Sequence, residues 1–475
     1  MTGYYTAQQI RDAEQATGDL LTGGTLMARA ANAVAVAVLA RLRATCGGVY
    51  GRRVLLVVGA GNNGGDALYA GALLARRGVG VEAILLDPDR AHRGGLAAFG
   101  RAGGRVVSRV PDTLDLAVDA VVGLGGRGPL RPAAARVFDA VAGTGAVIVA
   151  VDLPSGIDPD TGVVHTPSVR ADVSVTFGAP RLAHLLAAPR VGATVVADIG
   201  LDLPPATVTS PSDAEVAAAW PLPGPADDKY TQGVVGVVAG SAVYPGAAVL
   251  ATSAAVAATS GMTRYVGPAI AEVLAVSPEV VTAPSVAAAG RVQAWAVGPG
   301  FGTGEQAHEV LADVLAADLP TLIDADGLTV LARDRGLLAG RTAPTLLTPH
   351  AGEFARLSGT ALAPDRLSAV RALAAELGAT VLLKGRITLV ADPDGEVSGN
   401  DAGSSWAATA GAGDVLTGIA GSLLASGLPP RSAGVMAARV HALAAERASG
   451  GAPISAVGLC DAIPPVLREL LNLRQ

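Results

Sequence analysis

Short apolar segments alternate with helix-like segments along most of the chain, and this alternation limits the possible folds more than any other feature. Strands that alternate with helices form parallel sheets, with helices covering both faces. A helix is predicted from a Thr6/Gln9 capping box to about Thr17, and others at residues 25–42, 67–77 and 94–102. In the same half, apolar strands are predicted at residues 54–58, 81–86, 120–122, 146–151, 173–177 and 194–197. The sequence therefore predicts an α/β fold.

The length and a change in composition predict two domains. A chain of 475 residues exceeds the size at which one hydrophobic core usually stops growing. Residues 201–228 are rich in Pro, Ala and Asp without a sustained period, and a new strand follows at residues 234–238. We therefore expect one domain over residues 1–223 and a second over residues 224–475.

Charge and hydropathy make several classes of partner improbable. The net charge of -6 offers no attraction for a nucleic-acid backbone or an anionic membrane. The most apolar stretch, residues 246–261, contains four hydroxyl residues, which favours a buried helix over a membrane span. The N-terminus does not resemble a secretory signal, and Cys46 and Cys460 lack disulfide-framework or zinc-site spacing. We expect a cytoplasmic protein with reduced structural thiols, binding neither nucleic acid nor membrane.

A glycine-rich turn after the strand at residues 54–58 is the first candidate site. The segment GAGNNGGD lies between this strand and a helix, where free amides and the helix dipole can receive a phosphate. Gly59, Gly61 and Gly64 fit G-x-G-x-x-G, and Asp87 ends the next strand. The glycine pattern is therefore also compatible with an NAD-binding dehydrogenase domain.

The polar residues within this turn favour a different ligand. A pyrophosphate gains nothing from the carboxylate of Asp66, whereas a sugar hydroxyl or a cation would use it together with Asn62 and Asn63. Because ligands of open α/β sheets bind at the carboxyl ends of strands, polar residues near later strand ends would join the same crevice. These residues are Asp119, Asp152, Ser155 and Asp158.

Together these segments resemble the NAD(P)H-hydrate epimerase family over about residues 4–205. The matching motifs are GNNGGD, a D-x-x-x-G glycine loop, VDLPSGID and the strand segment ADVSVTF. The resemblance implies a Rossmann-like three-layer αβα domain, a catalytic role for Asp152, and a potassium ion held by Asn63, Asp119 and Ser155. It implies that hydrated NADH or NADPH contacts Asn62, Asn63, Gly64, Gly65, Asp66, Gly123, Leu124, Gly125, Gly126, Arg127, Gly128, Pro129 and Asp152.

The sequence departs from this family at two positions. Ala67 replaces the glycine that usually follows GNNGGD, and Arg181 replaces the lysine after VTF. Because a guanidinium stays protonated, we expect Asp152 to carry the acid–base work while Arg181 only places charge. Asp119 and Ser155 keep a second interpretation as caps of following helices.

The second candidate site is the segment AATAGAGDVLTGIAG, in which small residues precede Asp414 at the start of an apolar helix. Free amides of residues 411–413 would form an anion site at the helix N-terminus, and Asp414 could accept the proton of an attacking hydroxyl. Phosphoryl transfer to an alcohol requires that combination. A simple helix N-cap is the structural alternative.

The GAGD turn resembles the ribokinase-like superfamily, and other segments narrow the resemblance to ADP-dependent NAD(P)H-hydrate dehydratases over about residues 225–470. Those segments are AVGPGFG, LIDADGL, LLTPHAGEFARL and VLLKGRITLV, together with DDKYTQGVVGVVAGSAVYPGAAVLA. The resemblance implies a ribokinase-like α/β domain in which the hydrated nucleotide contacts Ala247, Gly300, His350 and Asp414. It implies that the ADP or AMP contacts Lys384, Gly385, Arg386, Ile387, Thr388 and Gly413.

The segment TPHAGEF stands where related kinases have N-x-x-E. Glu353 would therefore help to order magnesium-bound phosphates. His350 is expected to contact the ligand, with a purely structural role as the alternative.

The two resemblances together imply nicotinamide nucleotide repair. The first domain would interconvert the R and S forms of hydrated NADH and NADPH. The second would dehydrate the S form, with ADP as phosphoryl donor and AMP and phosphate as products. Potassium and magnesium are the expected ions, and a homo-oligomer is the expected assembly. A kinase with a nucleotide-binding regulatory N-terminal half and a nucleotide-sensing scaffold are the alternatives.

Overall fold

The computed structural model describes residues 1–259 and 261–474, which form two compact units. The N-terminal unit comprises Gly3–Val208, and the C-terminal unit comprises Met1–Thr2 and Thr209–Gln475. A short strand, β1 (Thr2–Tyr4), opens the chain.

The N-terminal unit is built on a seven-stranded sheet with the order β4-β3-β2-β5-β6-β7-β8, in which every neighbouring pair is parallel. Its strands are β2 (Arg53–Val58), β3 (Gly80–Leu85), β4 (Arg105–Val106), β5 (Leu116–Ala120), β6 (Val147–Val151), β7 (Val173–Phe177) and β8 (Ala193–Ala197). Its helices are α1 (Ala7–Ala16), α2 (Asp19–Thr22), α3 (Thr25–Cys46), α4 (Asn62–Ala75), α5 (Arg93–Arg101), α6 (Pro132–Thr144), α7 (Leu182–Leu186) and α8 (Ala188–Val191), with a 3-10 turn at Pro88–Arg90.

Alternate residues of β2 enter two separate cores, which shows the predicted three-layer arrangement. Leu56 belongs to the core that contains α3 and α4, whereas Leu55 belongs to the core that contains Phe138 of α6. Successive side chains of a strand point to opposite faces, so a strand covered on both sides is apolar throughout. From β2 the chain continues through β3 and β4 on one side and returns at β5 on the other. The strand order therefore reverses between β2 and β5, which is the point where such sheets bind ligands.

The sheet of the C-terminal unit has the order β9-β18-β17-β16-β15-β14-β13-β10-β11-β12. These strands are β9 (Val208–Ser210), β10 (Val234–Val238), β11 (Met262–Val266), β12 (Val281–Ala283), β13 (Ala294–Val297), β14 (Thr321–Ile323), β15 (Thr345–Leu347), β16 (Thr380–Leu383), β17 (Ile387–Ala391) and β18 (Val397–Asp401). Pairing is antiparallel between β16 and β17 and between β17 and β18, and parallel elsewhere in this series.

The C-terminal unit also contains a series of helices. They are α9 (Asp213–Ala219), α10 (Pro245–Ala258), α11 (Ile270–Val276), α12 (Glu305–Ala316), α13 (Asp326–Arg333), α14 (Ala351–Ser358), α15 (Arg366–Leu377), α16 (Ala412–Ala425), α17 (Pro430–Ser449), α18 (Ala456–Asp461) and α19 (Ile463–Leu471). Three 3-10 turns lie at Ala287–Ala289, Arg335–Leu338 and Asn472–Arg474. The residues of α10, α16, α17 and α19 share one core with β10.

The compact units divide earlier in the sequence than the expected boundary at residue 223. Thr209 of β9 pairs with Ser398 of β18, and α9 packs on α19. Trp220 is buried in the core of the C-terminal unit, where its indole N–H donates to the carbonyl of Ala258. The segment rich in Pro and Ala therefore contributes a strand and a helix to the C-terminal unit, which its composition concealed.

Two predicted elements lie elsewhere than the sequence indicated. The helix predicted at residues 67–77 is α4, which begins at Asn62 and so includes the glycines of the turn. A β-carbon at Gly64 would collide with the carbonyl of Gly59, so glycine at this position allows the first turn to pack closely. The strand predicted at residues 120–122 is β5, which ends at Ala120 and contains Asp119. A charged residue inside a buried strand broke the apolar pattern from which strands are predicted.

Residues 246–258 of the most apolar stretch lie in α10, a buried helix as predicted. The capping box of Thr6 and Gln9 is also confirmed. Within the described residues, α3 is the one helix long and apolar enough to cross a membrane, and one face of it packs in the core of the N-terminal unit. Cys46 and Cys460 are free thiols, as expected.

The contact of α16 with α10 gives a prediction for stability. A β-carbon at Gly418 would collide with the carbonyl of Ala251 and the backbone of Ala255, so Gly418→Ala should lower the free energy of unfolding by about 1–3 kcal/mol. Gly100 in α5 has open space around it, and Gly100→Ala should raise that free energy by about 0.5–1 kcal/mol. Urea denaturation followed by circular dichroism measures both, and equal effects of the two substitutions would contradict the packing argument.

Candidate active sites

The first candidate site is a cleft of about 1630 Å³ at the start of α4 in the N-terminal unit. Gly61 precedes the helix with a φ of 89°, a conformation that favours glycine, and no side chain caps the first turn. Asn62, Asn63 and Asp66 line the cleft, and the buried Nδ2 of Asn63 has no acceptor among the described residues. The helix start therefore offers backbone and side-chain donors to a ligand.

Gly64 and Gly65 were expected to contact the substrate, but neither lines the cleft. A β-carbon at Gly65 would lie 2.9 Å from the ring of His92. Together with the close packing of Gly64, this shows that the two glycines allow the helix to approach its neighbours. If these two glycines contact the substrate, they do so through backbone atoms.

The loop predicted at residues 123–129 lines the same cleft. A β-carbon at Gly123 would lie 2.9 Å from Oδ1 of Asn63 and 3.2 Å from Oδ2 of Asp152, so these three positions lie together. Arg127 forms ion pairs with Asp158 at 2.8 Å and with Asp160 at 3.3 Å. The glycine loop therefore lies beside Asn63 and Asp152, with which the resemblance had grouped it.

Asp152 follows β6 in a strained, left-handed conformation, with a φ of 67°. Its Oδ1 accepts a hydrogen bond of 2.9 Å from the hydroxyl of Thr176 and lies 3.1 Å from Nη2 of Arg181. Its Oδ2 is directed toward Gly123 and Asn63 in the cleft. One oxygen is therefore held by the protein, and the other remains available to a substrate.

Arg181 is 1% exposed and is fixed by the backbone around it. Its Nη1 donates to the carbonyls of Phe177 at 3.2 Å and Ala179 at 2.6 Å, while Nη2 reaches Phe177 and Asp152. A guanidinium keeps its proton, so this residue can place positive charge beside Asp152 but cannot exchange a proton.

His184 joins Arg181 to Asp152 and was missed in the sequence. The backbone N–H of Arg181 donates to Nδ1 of His184 at 2.9 Å, which leaves Nε2 to donate to the carbonyl of Asp152 at 3.0 Å. Burial lowers the pKa of His184 to about 4, so the ring is neutral and both bonds can form. Its position three residues after Arg181 in the sequence gave no sign that the chain folds back on Asp152.

Asp119, one of the three predicted potassium ligands, is completely buried. Its carboxylate accepts from the hydroxyl and backbone N–H of Ser155, each at 2.7 Å, and from the N–H of Val121 at 3.2 Å. Burial nonetheless raises the pKa of Asp119 to about 6. Neither Asp119 nor Ser155 caps a helix, so the capping interpretation does not apply in this structure.

Two residues of α1, Arg11 and Glu14, also line the cleft and were not predicted. Nη2 of Arg11 donates to the carbonyl of Leu124 at 2.6 Å, which attaches α1 to the glycine loop. Burial raises the pKa of Glu14, and so does the charge of Asp152, while Arg181 and Arg11 oppose this shift. The spacing of three residues places both side chains on one helix face, but a predicted amphipathic helix gives no reason to select them.

A second carboxylate of the cleft, Asp66, is also forced toward its neutral form. Burial raises the pKa of Asp66 well above its usual value, and the charges of Asp152 and Glu14 raise it further. The cleft thus contains three mutually interacting carboxyls.

The second candidate site lies at the carboxyl edge of the parallel strands β13, β14, β15 and β16 in the C-terminal unit. Each of these strands is followed directly by a polar or glycine residue from the predicted motifs: Gly298, Asp324, Thr348 and Lys384. Because parallel strands end on the same side of a sheet, segments far apart in the sequence meet there.

Lys384 connects several of these segments. Its Nζ lies 2.6 Å from Oδ1 of Asp324 and 3.6 Å from Oε2 of Glu353. Burial opposes its charge, but the two carboxylates outweigh burial and raise the pKa of Lys384. A β-carbon at Gly413 would lie 3.6 Å from Nζ, so the ammonium stands beside the start of α16.

Asp414 lies in the first turn of α16, which begins after Gly411 with a φ of 84° and no side-chain cap. Burial raises the pKa of Asp414 to about 7, and Asp324 raises it while Lys384 lowers it. A carboxyl that titrates near neutral pH beside free amides and an ammonium can act as a general base.

A pocket of about 210 Å³ adjoins Lys384, and most residues predicted to bind ADP or AMP line it. The exception is Ile387, which is 4% exposed and does not line the pocket. The residues that do are Lys384, Gly385, Arg386, Thr388 and Gly413.

His441 of α17 also lines this pocket and was missed. Its Nε2 lies 2.8 Å from the carbonyl of Ala412, and burial lowers the pKa of His441 to about 4. A lone histidine in a helix that is otherwise rich in alanine carries no motif, so only the fold connects it to the site.

His350 has the structural role that was the alternative at the sequence level. Its Nδ1 accepts from the N–H groups of Gly352 at 2.9 Å and Glu353 at 3.3 Å, so it caps α14. Its side chain is 55% exposed, and this leaves ligand contact a prediction. Ala247 and Gly300 are adjacent, since a β-carbon at Gly300 would lie 2.8 Å from that of Ala247.

Among residues 1–259 and 261–474, no group of three or more His, Cys, Asp or Glu side chains is arranged to hold a metal ion. Asp324 and Glu353 instead both form ion pairs with the ammonium of Lys384.

Comparison with known proteins gives matches over nearly the whole chain. A family profile described as NAD(P)H-hydrate dehydratase matches residues 235–464, and one described as YjeF-related protein N-terminus matches residues 23–183. A bifunctional NAD(P)H-hydrate repair enzyme of Mycobacterium leprae is 54% identical over 475 residues, covering 99% of this chain and 100% of the relative. One from Mycobacterium tuberculosis is 58% identical over 429 residues, covering 90% of each chain.

A solved structure supports the fold. The ribokinase-like superfamily protein from Enterococcus faecalis V583 has a TM-score of 0.51 and 24% sequence identity, and the match covers 57% of this chain and 98% of that one. At this identity the likeness shows the fold alone.

The neutral state of His184 gives a prediction for stability against pH. Its pKa falls from 6.5 to about 4 on folding, so the unfolded chain binds the proton more tightly, and stability is lost as pH falls below 6.5. This effect should account for about 2 kcal/mol of the free energy of unfolding that the wild type loses between pH 7 and pH 5. His184→Gln should not show that part of the loss. Thermal and urea unfolding at both pH values measure this change.

His165 provides the matched control, since it lies in the same unit and is only partly buried. His165→Gln should keep the pH dependence of the wild type. An unchanged pH dependence in His184→Gln would show that the buried ring is not neutral in the folded protein.

Proposed function

Because this chain belongs to the family of bifunctional NAD(P)H-hydrate repair enzymes, we propose that its two units repair hydrated NADH and NADPH in two steps. The N-terminal unit interconverts the R and S hydrates, and the C-terminal unit converts the S hydrate to NADH or NADPH by using ADP. The observation that carries this proposal is Asp414, a carboxyl with a pKa near 7 in a helix turn whose amides are free, beside Lys384.

The dehydration begins as a phosphoryl transfer to the C6 hydroxyl of the hydrated ring. Asp414 takes the hydroxyl proton, the oxygen attacks the β-phosphorus of ADP, and the bond to AMP breaks. The electron pair of N1 then expels inorganic phosphate from C6, and loss of the C5 proton restores the dihydronicotinamide. Phosphate leaves far more readily than hydroxide, and this explains why a nucleotide is consumed.

The residues around Asp414 support such a transfer. The amides of residues 411–413 and the ammonium of Lys384 would stabilise the negative charge that develops on the phosphoryl oxygens. Thr417 donates to Oδ2 of Asp324 at 2.7 Å, which holds the partner of Lys384 in place. In the pocket beside Lys384, the described side chains would receive the adenylate part of ADP.

Magnesium fits this site as an ion carried by the phosphates of ADP. Asp324, Glu353 and Asp414 supply more negative charge than Lys384 balances, so a divalent cation would be attracted here. The ion would offset phosphate charge, and it commonly binds through one or two carboxylates together with substrate oxygens. We assign Glu353 to this role.

In the epimerase site, Asp152 is the catalytic carboxylate and Arg181 holds charge beside it. Potassium fits near Asp119, because this buried carboxylate has no basic partner among the described residues and lies with the hydroxyl of Ser155. Oxygen atoms from Asp119, Ser155 and Asn63 suit a hard monovalent cation. The ion would supply positive charge at the edge of the substrate cleft.

Both activities serve one purpose when they are fused. A dehydratase built for one direction of the C6 hydroxyl leaves the other epimer unrepaired, and an epimerase in the same chain keeps the two activities at a high effective concentration.

We place the enzyme in the cytoplasm, since the two cysteines are free thiols. The expected homo-oligomer stays a prediction.

The first test concerns Asp414. Asp414→Asn should lower the rate of NADH recovery from the S hydrate by about 1000-fold or more, because the proton acceptor is lost. Asp461→Asn, on the exposed side of α18, should leave the rate unchanged. Absorbance of NADH and release of AMP and phosphate are the readouts, and a stable phosphorylated product would indicate a kinase instead.

The second test separates the two units. With purified R and S hydrates, ADP and magnesium, Asp152→Ala should reduce conversion of the R hydrate to its spontaneous rate. The same variant should convert the S hydrate as fast as the wild type does. Equal loss with both epimers would contradict the division of labour between the two units.

A further inference from the structure

The fixed position of Arg181 leaves the epimerase site one proton-transfer group short. Inversion at C6 requires a proton to be supplied on one side of the carbon and removed on the other. Asp152 can perform one of these transfers, but Arg181 keeps its proton and is held by the carbonyls of Phe177 and Ala179. A second carboxyl must therefore complete the reaction.

Glu14 is placed for this role. It lines the cleft with Asp152 and Arg181, and its side chain accepts no hydrogen bond within the described part of the chain. The capping box of Thr6 fixes the start of α1, and Arg11, one turn before Glu14, is bonded to the carbonyl of Leu124. The helix thus holds a free carboxyl at the wall of the cleft.

Asp66 is the other carboxyl that could serve, but its burial argues against it. Asp66 is 8% exposed, whereas Glu14 is partly open to solvent. An acid that works through many turnovers must regain its proton from water, and the more exposed group can do so directly. Asp66 is better suited to hold a substrate hydroxyl.

We propose that Glu14 is the second catalytic acid–base residue of the epimerase site and works with Asp152 on opposite faces of C6. This inference rests on the proposed function of the N-terminal unit. Glu14 gives its proton to the C6 hydroxyl, the C6–O bond breaks, and water leaves while the electron pair of N1 forms a C6–N1 double bond. Water then adds to the opposite face of C6 and gives its proton to Asp152.

The step is balanced and reversible. One water molecule leaves and one enters, no electrons are exchanged with another reagent, and the proton on Asp152 returns to Glu14 through solvent. In the reverse direction the two carboxyls exchange roles, as an epimerisation requires.

The test uses the full chain with Glu14→Gln and the matched control Asp12→Asn. Asp12 lies on the exposed side of the same helix, and its carboxylate bonds only to Gln8 among described side chains. Conversion of purified R hydrate to S hydrate is followed by chromatography without ADP. We expect Glu14→Gln to lower the catalysed rate about 100-fold or more and Asp12→Asn to leave it unchanged.

Conversion of S hydrate with ADP and magnesium is measured on the same samples. If the wild type converts neither epimer, the proposed function fails; if it converts both and Glu14→Gln epimerises within about twofold of the wild type, only the role of Glu14 fails. Glu14→Asp keeps the acid on a shorter side chain and should retain about a tenth of the wild-type rate. A rate for Glu14→Asp as low as that of Glu14→Gln would also overturn the proposal.

The pH profile distinguishes proton transfer from a structural role. The groups that interact with Glu14 are Asp152, Arg181 and Arg11, and Asp66 also responds to its charge. Because the protonated carboxyl is the acid, the wild-type rate should fall as pH rises through the raised pKa of Glu14. Glu14→Gln should lose this alkaline limb, and its persistence would contradict the assignment.

Discussion

Backbone amides at the start of a helix cannot be satisfied by the helix itself, and both candidate sites depend on this constraint. In the N-terminal unit the uncapped start is that of α4, and in the C-terminal unit it is that of α16. Each follows a glycine with positive φ, and each lies at an edge where parallel strands end. Free amides, a helix dipole and polar side chains from neighbouring loops are thereby brought to one place.

Close packing by glycine makes these helix starts possible. Gly64 lets α4 approach the carbonyl of Gly59, and Gly418 lets α16 approach the backbone of α10. In both helices a β-carbon would push the helix away from the element that positions it. Some glycines that look like ligand contacts in a motif are therefore needed for the geometry of the backbone rather than for the ligand.

The two sites treat buried charge differently. Asp152 has a permanent cation beside it in Arg181, whereas Asp414 shares Lys384 with Asp324 and Glu353. The shared ammonium of Lys384 lowers the pKa of Asp414 by less than burial raises it, so this pKa rises to about 7. Asp152 thus lies beside a fixed guanidinium, whereas Asp414 can exchange a proton near neutral pH.

The sequence by itself determined the α/β class, the strands β2, β6 and β7 to within a residue or two, and the motifs that place both sites after strands. These features depend on local apolar periods and on short segments whose residues act together. Family resemblance supplied the chemistry and most candidate residues, and the comparisons support the family. The sequence did not reveal that α4 begins at Asn62, that β5 contains Asp119, or that Glu14, His184 and His441 reach the sites. Only the tertiary structure decided these points, because they depend on close approach and burial between segments that are distant in the sequence.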